Sequence, residues 1–135
     1  MKKKIYDLLL LKKRLKKNNS INQISVLNKE RQKNDEAVKT LSKLLNSSKF
    51  NEGELLTTSE IQSKSKYQSE LHKRIMVSSN RGNFLNKEIK QNLVKLNQIN
   101  KQRDVIIQKI DNIEKNNYRK KEEKSEIVNI NKANT

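Results

Sequence analysis

The residue types that perform catalysis are sparse in this sequence. Cysteine is absent and His72 is the only histidine, which excludes a thiolate nucleophile, a disulfide and a multi-histidine metal site. The adjacent carboxylates Glu122 and Glu123 would point in different directions on a helix, so we interpret them as solvated. The glycine-rich phosphate-binding motifs and the G-x-S-x-G and H-E-x-x-H motifs of hydrolases are also missing. We therefore expect a protein that is not an enzyme and that uses no cofactor or metal.

Basic runs near both ends of the chain are the main chemical feature. They are Lys2–Lys4, Lys12–Arg14 followed by Lys16 and Lys17, and Arg119–Lys121. If the chain doubles back, these runs meet and form one positive region. The 31 Lys and Arg against 15 Asp and Glu give a net charge of +16, although the excess of Lys, Asn and Ile over Ala is also typical of an AT-rich genome. Solvated lysines, an acidic protein partner and non-specific nucleic-acid binding are all compatible with these runs.

The composition favours long helices over a layered globular core. Only 32% of the residues are hydrophobic, and two glycines with no proline leave long stretches without helix breakers. The basic and apolar start of the chain imitates a secretion signal, but Asp7 interrupts the apolar run. No stretch approaches the roughly 18 apolar residues of a membrane span. We expect an all-α protein with neither a signal peptide nor a transmembrane segment.

The second half of the chain has the clearest periodicity. Steps of four and three from Leu71 place Leu or Ile at nine of thirteen positions, which predicts a coiled-coil seam. The seam positions are Leu71, Ile75, Ser78, Gly82, Leu85, Ile89, Asn92, Leu96, Ile99, Arg103, Ile106, Ile110 and Ile113. The polar segment from Ser78 to Asn83 is a candidate kink or second turn.

The first half is less regular and ends in a turn. Apolar residues recur at steps of three or four within three groups: Leu8, Leu11 and Leu15; Ile24 and Leu27; Val38, Leu41 and Leu45. We expect helix one over about 3–47, a turn over about 48–57 around Gly53, and helix two over about 58–124, followed by a frayed tail at 125–135. Thr57 and Glu60 have the spacing of a capping box, in which the Thr57 hydroxyl accepts from the Glu60 amide and the carboxylate reaches back.

These elements predict one domain over residues 1–135, an antiparallel two-helix coiled-coil hairpin with unequal arms. Reversal about residues 52–55 would place Leu41 and Leu45 near residues 61–67, and residues 8–15 near residues 89–96. The stripe formed by Ile106, Ile110 and Ile113 would then have no intramolecular partner. An uncovered apolar stripe predicts a partner protein or self-association.

A cluster near the turn has two interpretations. Tyr67, Leu71 and Ile75 share one face of helix two and would lie opposite Leu41, Leu44 and Leu45 of helix one. The cluster can be ordinary packing between the helices, or it can be an aromatic and aliphatic patch that docks another protein.

Three segments resemble the flagellar type III export stalk family, the FliJ-like proteins, which are related to stalk proteins of virulence secretion systems. They are Ile5–Lys12, the start of helix two from Thr58 to Ile61 leading to Tyr67 and Leu71, and the basic aliphatic stretch Arg103–Lys115. The match departs from the family at Ile5, where an aromatic residue is common, and at Leu44, Arg74 and Ser78.

The resemblance implies a cytoplasmic hairpin that is peripheral to the inner membrane through its partners. Its paired ends would enter the ring of the hexameric export ATPase, and another region would contact the export gate, a membrane protein. Export chaperones are further candidate partners. The gate patch would be Leu41, Leu44, Tyr67 and Leu71. The ring-binding residues would be Lys12, Lys13, Arg14, Ile106, Ile110, Ile113 and Arg119.

Two other functions fit the same residues. One is a basic coiled coil associated with nucleic acid, although three Tyr and two Phe scattered away from the basic runs form no base-stacking platform, so no specific nucleic acid is expected. The other is a generic coiled-coil scaffold whose apolar stripe pairs with itself.

Overall fold

A computed structural model describes residues 2–133 of the chain. It contains two helices, α1 from Lys2 to Ser47 and α2 from Thr58 to Ala133, and no strand within the described residues. Residues 48–57 form the loop between them. The structure confirms the predicted fold class, an all-α two-helix hairpin with arms of 46 and 76 residues.

Side chains cap the C-terminal end of α1 and the N-terminal end of α2. The hydroxyls of Ser47 and Ser48 donate to the carbonyls of Leu44 and Leu45, and the same two carbonyls also accept the backbone amide of Ser48, just beyond the last residue of α1. At the start of α2, the Glu60 amide donates to the Thr57 hydroxyl at 3.2 Å, as the capping-box pattern predicts. The Glu60 carboxylate makes no bond back to Thr57 among the described residues, so only half of that capping box forms.

The loop folds along the first turns of α2. Gly53 has φ of +77°, a conformation that favours glycine, in a tight turn where the Glu54 amide donates to the Asn51 carbonyl. Lys64 of α2 lies 3.6 Å from the Glu54 carboxylate and 4.8 Å from the centre of the Phe50 ring. The loop therefore covers a part of α2 that α1 does not reach.

Helix α2 is longer and more regular than the sequence indicates. It continues to Ala133, so the tail expected to fray from residue 125 is helical as far as the described residues extend. The segment from Ser78 to Asn83 also lies within the helix, and the second turn considered there does not form. Residues 134 and 135 of the expected tail lie outside the described residues.

The contacts divide the hairpin into two compact units. We call the unit from Asn22 to Leu93 the turn unit, and the unit that joins α1 up to Ile21 with α2 from Val94 the terminal unit. In each unit a segment of α1 pairs with an antiparallel segment of α2.

In the turn unit, the two helices bury one continuous seam. Leu71, Leu85 and Ile89 are 4%, 1% and 7% exposed, as the α2 periodicity predicts. The less exposed residues of α1 in this unit, apart from Ser42, also follow steps of three and four: Ile24, Leu27, Arg31, Asn34, Val38, Leu41 and Leu45. Ser48 of the loop continues this spacing. This spacing is the heptad pattern of a coiled coil, interrupted by polar residues.

The terminal unit has a seam with the same spacing but a more polar content. Its least exposed α1 residues are Tyr6, Leu10, Lys13, Lys17 and Ser20, and its α2 seam includes Leu96, Ile99, Arg103, Ile106, Ile110 and Ile113. Lys13 Nζ donates to Gln102 Oε1 at 2.6 Å, and Lys3 Nζ lies 2.8 Å from Glu114 Oε1.

The register of the pairing differs from the expected one by about ten residues. The Gln68 amide donates to the Ser48 carbonyl at 2.7 Å, so residues 41 and 45 lie level with residues near 71–75, not with 61–67. In the terminal unit, Lys13 lies beside Gln102, so residues 8–15 lie beyond the expected 89–96. The prediction placed the axis of reversal at residues 52–55. The structure places it near residue 58, because the loop folds along the first turns of α2.

This register corrects two expectations about exposed apolar surface. Ile106 is 8% exposed and Ile110 and Ile113 are half-buried, so the stripe expected to lack an intramolecular partner is largely covered. The group Leu8, Leu11 and Leu15, expected to pack against α2, is instead 51–67% exposed because the seam passes through Tyr6, Leu10 and Lys13. The uncovered apolar surface of the terminal unit therefore includes α1.

Candidate functional site

A groove along the turn unit coincides with part of the patch expected near the turn. It encloses about 530 Å³ and is lined by Ala37, Thr40, Leu41, Lys73, Arg74, Val77 and Ser78. Its walls come from both helices, and Val77 exposes 69% of its surface beside it. The groove combines an aliphatic floor with two cations, which suits a partner segment that carries both apolar and acidic side chains.

The four residues expected to bind the gate differ in their accessibility. Leu41 lines the groove, and Leu44 and Tyr67 are 41% and 46% exposed. Helical spacing places Leu44 on the same side of α1 as Ala37 and Leu41, and Tyr67 one heptad before Arg74 of α2. Leu71 is only 4% exposed and belongs to the seam. Leu41, Leu44 and Tyr67 can therefore offer surface to a partner, whereas Leu71 supports them from below.

The terminal unit contains a cavity lined by three cations. It encloses about 340 Å³ between Leu10, Arg14, Lys17, Asn18, Arg103 and Ile107. No described acidic residue pairs with Arg14 or Lys17, and the nearest carboxylate to Arg103 is that of its neighbour Asp104, at 3.7 Å. This cavity has the chemistry to accept an acidic group from outside the chain.

Two buried polar atoms near this cavity have no partner within the described part of the chain. They are Arg103 Nε and Asn100 Oδ1, both almost inaccessible to solvent. Leaving a buried donor or acceptor without a hydrogen bond costs about 1–3 kcal/mol. An added carboxylate or phosphate oxygen at the cavity could accept from the Arg103 guanidinium and remove part of that cost.

The residues expected to enter an ATPase ring all belong to the terminal unit, but only some of them are accessible. Lys12 is exposed, Arg14 lines the cavity, and Lys13 is half-buried in the seam beside Gln102. Arg119 lies on α2 beyond Glu114, where every described side chain up to Lys132 is exposed. Ile106 is buried, and Ile110 and Ile113 are half-buried, so they hold the two helices together.

In the terminal unit, the first turns of α1 make charged contacts with α2. The hydrogen bond and the charge of Glu114 raise the pKa of Lys3 above its ordinary value. The Lys109 ammonium lies 5.8 Å from the centre of the Tyr6 ring, a cation–π distance. These contacts attach the first turns of α1 to α2, whereas Lys12 and Lys16 of α1 are exposed.

Sequence reasoning did not single out Lys17 and Arg103 as a pair. Lys17 was counted in a basic run and Arg103 as a polar interruption of the seam. The spacing of four and three residues from Tyr6 through Lys13 to Lys17 could have identified them. It places both lysines on the face of α1 that packs against the seam of α2, which includes Arg103.

Two further findings concern the described residues as a whole. No group of three or more His, Asp or Glu side chains within residues 2–133 lies in an arrangement that could hold a metal ion. Neither described helix is long and apolar enough to cross a membrane.

Comparison with known proteins gives no relative from which a function could be transferred. No protein-family model, curated protein or solved structure matches the chain.

Proposed function

We propose that this chain is the central stalk of a flagellar type III export ATPase complex. In this proposal it is a non-enzymatic coupling subunit whose terminal unit enters the hexameric ATPase ring and whose turn unit contacts the export gate. Resemblance of three sequence segments to the stalk family supports the proposal, as does the two-helix fold with arms of 46 and 76 residues.

The observation that carries the proposal is the cationic seam of the terminal unit. Lys13, Lys17 and Arg103 occupy seam positions, where aliphatic residues would stabilise a coiled coil better. The unpartnered Arg103 Nε adds a further cost. Groups that destabilise a fold are expected where a partner uses them. Lys17 and Arg103 of this seam line the cavity together with Arg14, and these three cations suit acidic residues of an ATPase ring.

The mechanism follows from a difference in symmetry. A hairpin of two unequal helices cannot contact six identical subunits equivalently, so it stabilises different conformations in different subunits. A ring whose subunits are held in unequal states binds and releases nucleotide in sequence. The stalk supplies contacts and charge, and the ATPase performs the chemistry.

The groove of the turn unit is the proposed contact for the export gate. Leu41, Leu44 and Tyr67 supply apolar surface, and Lys73 and Arg74 supply charge beside it. Export chaperones could use the same surface, and they would then compete with the gate for it.

Binding to the purified hexameric export ATPase of the same organism tests the proposal. The triple variant Arg14→Gln, Lys17→Gln, Arg103→Gln removes the cavity cations, and Lys39→Gln, Lys43→Gln, Lys73→Gln is the matched control in the turn unit. We expect the first variant to weaken binding at least tenfold and the control to bind like the unchanged chain. Equal binding of both variants, or binding to duplex DNA but not to the ATPase, would refute the proposed role.

The gate contact is tested separately with the cytoplasmic part of the gate protein. Leu41→Gln with Leu44→Gln should abolish binding, whereas Val26→Gln, an exposed apolar residue elsewhere in the turn unit, should leave it unchanged. Unchanged binding of the variant with Leu41→Gln and Leu44→Gln, or an equal loss in the Val26→Gln control, would contradict the groove as the contact.

A further inference from the structure

The outer face of α1 in the terminal unit carries a line of exposed aliphatic residues that the hairpin does not use. We call Ile5, Leu8, Leu11 and Leu15 the outer stripe. They are 58%, 67%, 51% and 57% exposed. Tyr6, Leu10 and Lys13 form the seam, so Leu8, Leu11 and Leu15 point away from α2. Four large aliphatic side chains in eleven residues form a contiguous apolar surface, and such surfaces mark interaction sites.

Cations lie along the outer stripe and acids are nearly absent. Lys4 continues the line of Leu8, Leu11 and Leu15 towards the start of α1, and Lys12 and Lys16 lie beside it, by helical position. Asp7 is the only acidic residue between residues 2 and 29. An apolar line bordered by lysines is the arrangement of a helix that lies in the plane of a membrane surface. The lysine stems can follow the apolar surface while their ammonium groups reach lipid phosphates.

The positive charge around the outer stripe distinguishes between the partners that could bind there. A second copy would bring one chain of net charge +16 against another, which opposes self-association through a basic face. An acidic protein surface is recognised best by arginine, whose planar group binds carboxylates at two points. The basic residues from 2 to 17 are seven lysines and one arginine. Compact, strongly hydrated lysine charges suit a diffuse anionic surface.

We propose that the outer stripe and its flanking lysines dock the terminal unit directly onto an anionic lipid bilayer surface. The apolar residues enter the boundary between headgroups and acyl chains, and the lysines contact lipid phosphates. The seam faces the opposite side of α1, so α2 remains paired while α1 lies on the membrane. This inference goes beyond the proposed stalk role, which needs no direct lipid contact, and it describes the chain while its terminal unit lies outside the ATPase ring.

Flotation of the full chain with large vesicles tests the inference. We expect the chain to float with vesicles made of a mixture of phosphatidylglycerol and phosphatidylethanolamine at about 150 mM NaCl. We expect it not to float with vesicles of pure phosphatidylcholine. The variant Leu8→Gln, Leu11→Gln, Leu15→Gln should lower partitioning at least tenfold. The matched control Val26→Gln, Met76→Gln, Leu93→Gln changes three exposed apolar residues of the turn unit outside the groove and should float like the unchanged chain.

Two charge variants test the lysines. Lys12→Gln with Lys16→Gln should lower partitioning about fivefold for each charge removed, since a basic residue near an anionic membrane surface contributes about that factor. Lys39→Gln with Lys43→Gln should have no more than the small effect of a lower net charge. Circular dichroism verifies that each variant keeps its helices, and the single variant Leu8→Gln provides a milder change.

Three results would overturn the inference: no flotation with anionic vesicles, equal flotation with neutral vesicles, or unchanged flotation of the leucine variant. The last would show adsorption by charge alone. Tight binding to polyglutamate without vesicle binding would assign the stripe to an acidic protein instead. Lipid-free ATPase binding is measured in parallel, so failure of the membrane contact is distinguishable from failure of the stalk role.

Discussion

The side chain of Asn34 in α1 lies against Gly82 of α2 in the turn unit. The Asn34 amide nitrogen donates to the Ser78 carbonyl at 2.8 Å, and a Cβ atom added at Gly82 would lie 3.1 Å from that nitrogen. The polar segment from Ser78 to Asn83 can thus remain helical, because its glycine admits the Asn34 side chain. The polar residues and the glycine that suggested a turn in the sequence analysis instead form a contact between the two helices.

This contact predicts strong coupling between the two positions. Alanine at a helix interior is favoured over glycine by about 0.8–1 kcal/mol, but at position 82 it displaces an amide whose hydrogen bond contributes about 1 kcal/mol. We expect Gly82→Ala to stabilise the chain by about 0.5–1 kcal/mol in an Asn34→Ala background and to give no gain in the unchanged chain. Urea unfolding of the four proteins measures the coupling, and equal effects of Gly82→Ala in both backgrounds would contradict it.

A second prediction compares two helical leucines of opposite exposure. Leu85 is 1% exposed in the seam, whereas Leu8 is 67% exposed on the outer stripe. We expect Leu85→Ala to lower the free energy of unfolding by about 2–5 kcal/mol and Leu8→Ala to change it by less than about 0.5 kcal/mol. Chemical denaturation followed by circular dichroism measures both. Similar losses in the two variants would mean that the register described above is wrong.

The cationic seam predicts a gain of stability from a substitution that impairs function. Arg103→Leu removes a partly buried cation and an unpartnered donor from a seam position. Because the side chain is still about one-third exposed, we expect a gain of about 1 kcal/mol, with weaker binding to the ATPase. Thermal unfolding measures the gain. The control is Lys101→Leu, at an exposed position off the seam, and it should not raise the melting temperature. A loss of stability in Arg103→Leu would contradict the prediction and indicate that the guanidinium has a structural role.

The ion pair of Lys3 with Glu114 predicts a pH dependence confined to alkaline solution. Its hydrogen bond and charge raise the pKa of Lys3 in the folded state. The contribution of the pair to stability is therefore complete below the pKa of Lys3 in the unfolded chain and is lost as the pH rises through the folded pKa. An NMR titration of the Lys3 side chain should give a lower pKa in Glu114→Gln than in the unchanged chain. An unchanged pKa would show that the pair does not form in solution.

The fold class and the seam of α2 could be predicted because both depend on local pattern. Leu71, Leu85 and Ile89 repeat at heptad spacing without interruption by proline, and they are buried as expected. In the turn unit, the expected α1 groups, Ile24 with Leu27 and Val38 with Leu41 and Leu45, lie in the seam. In the terminal unit the α1 seam was missed because Lys13 and Lys17 occupy it, while Leu8, Leu11 and Leu15 present a second apolar pattern on the outer face. The spacing of apolar residues alone does not show which of these two faces packs against α2.

The register could not be predicted because it depends on the loop. Whether the loop extends away from the helices or folds along α2 is decided by contacts of Lys64 with Glu54 and Phe50, which carry no signal in the sequence. The same shift in register moved Ile106 from the expected partner surface into the core and brought Arg103 level with Lys13 and Lys17. For this reason some residues expected to bind a partner proved to be seam residues. The positive charge of the terminal unit could be predicted from the basic runs in the sequence.

ATP turnover by the purified hexameric export ATPase, measured with and without this chain in lipid-free solution, tests the proposed stalk role most directly. The account predicts that the unchanged chain raises turnover several-fold, that Lys39→Gln with Lys43→Gln does so equally, and that Arg14→Gln with Lys17→Gln and Arg103→Gln does not. Turnover that is unaffected by a saturating amount of the folded chain would contradict it.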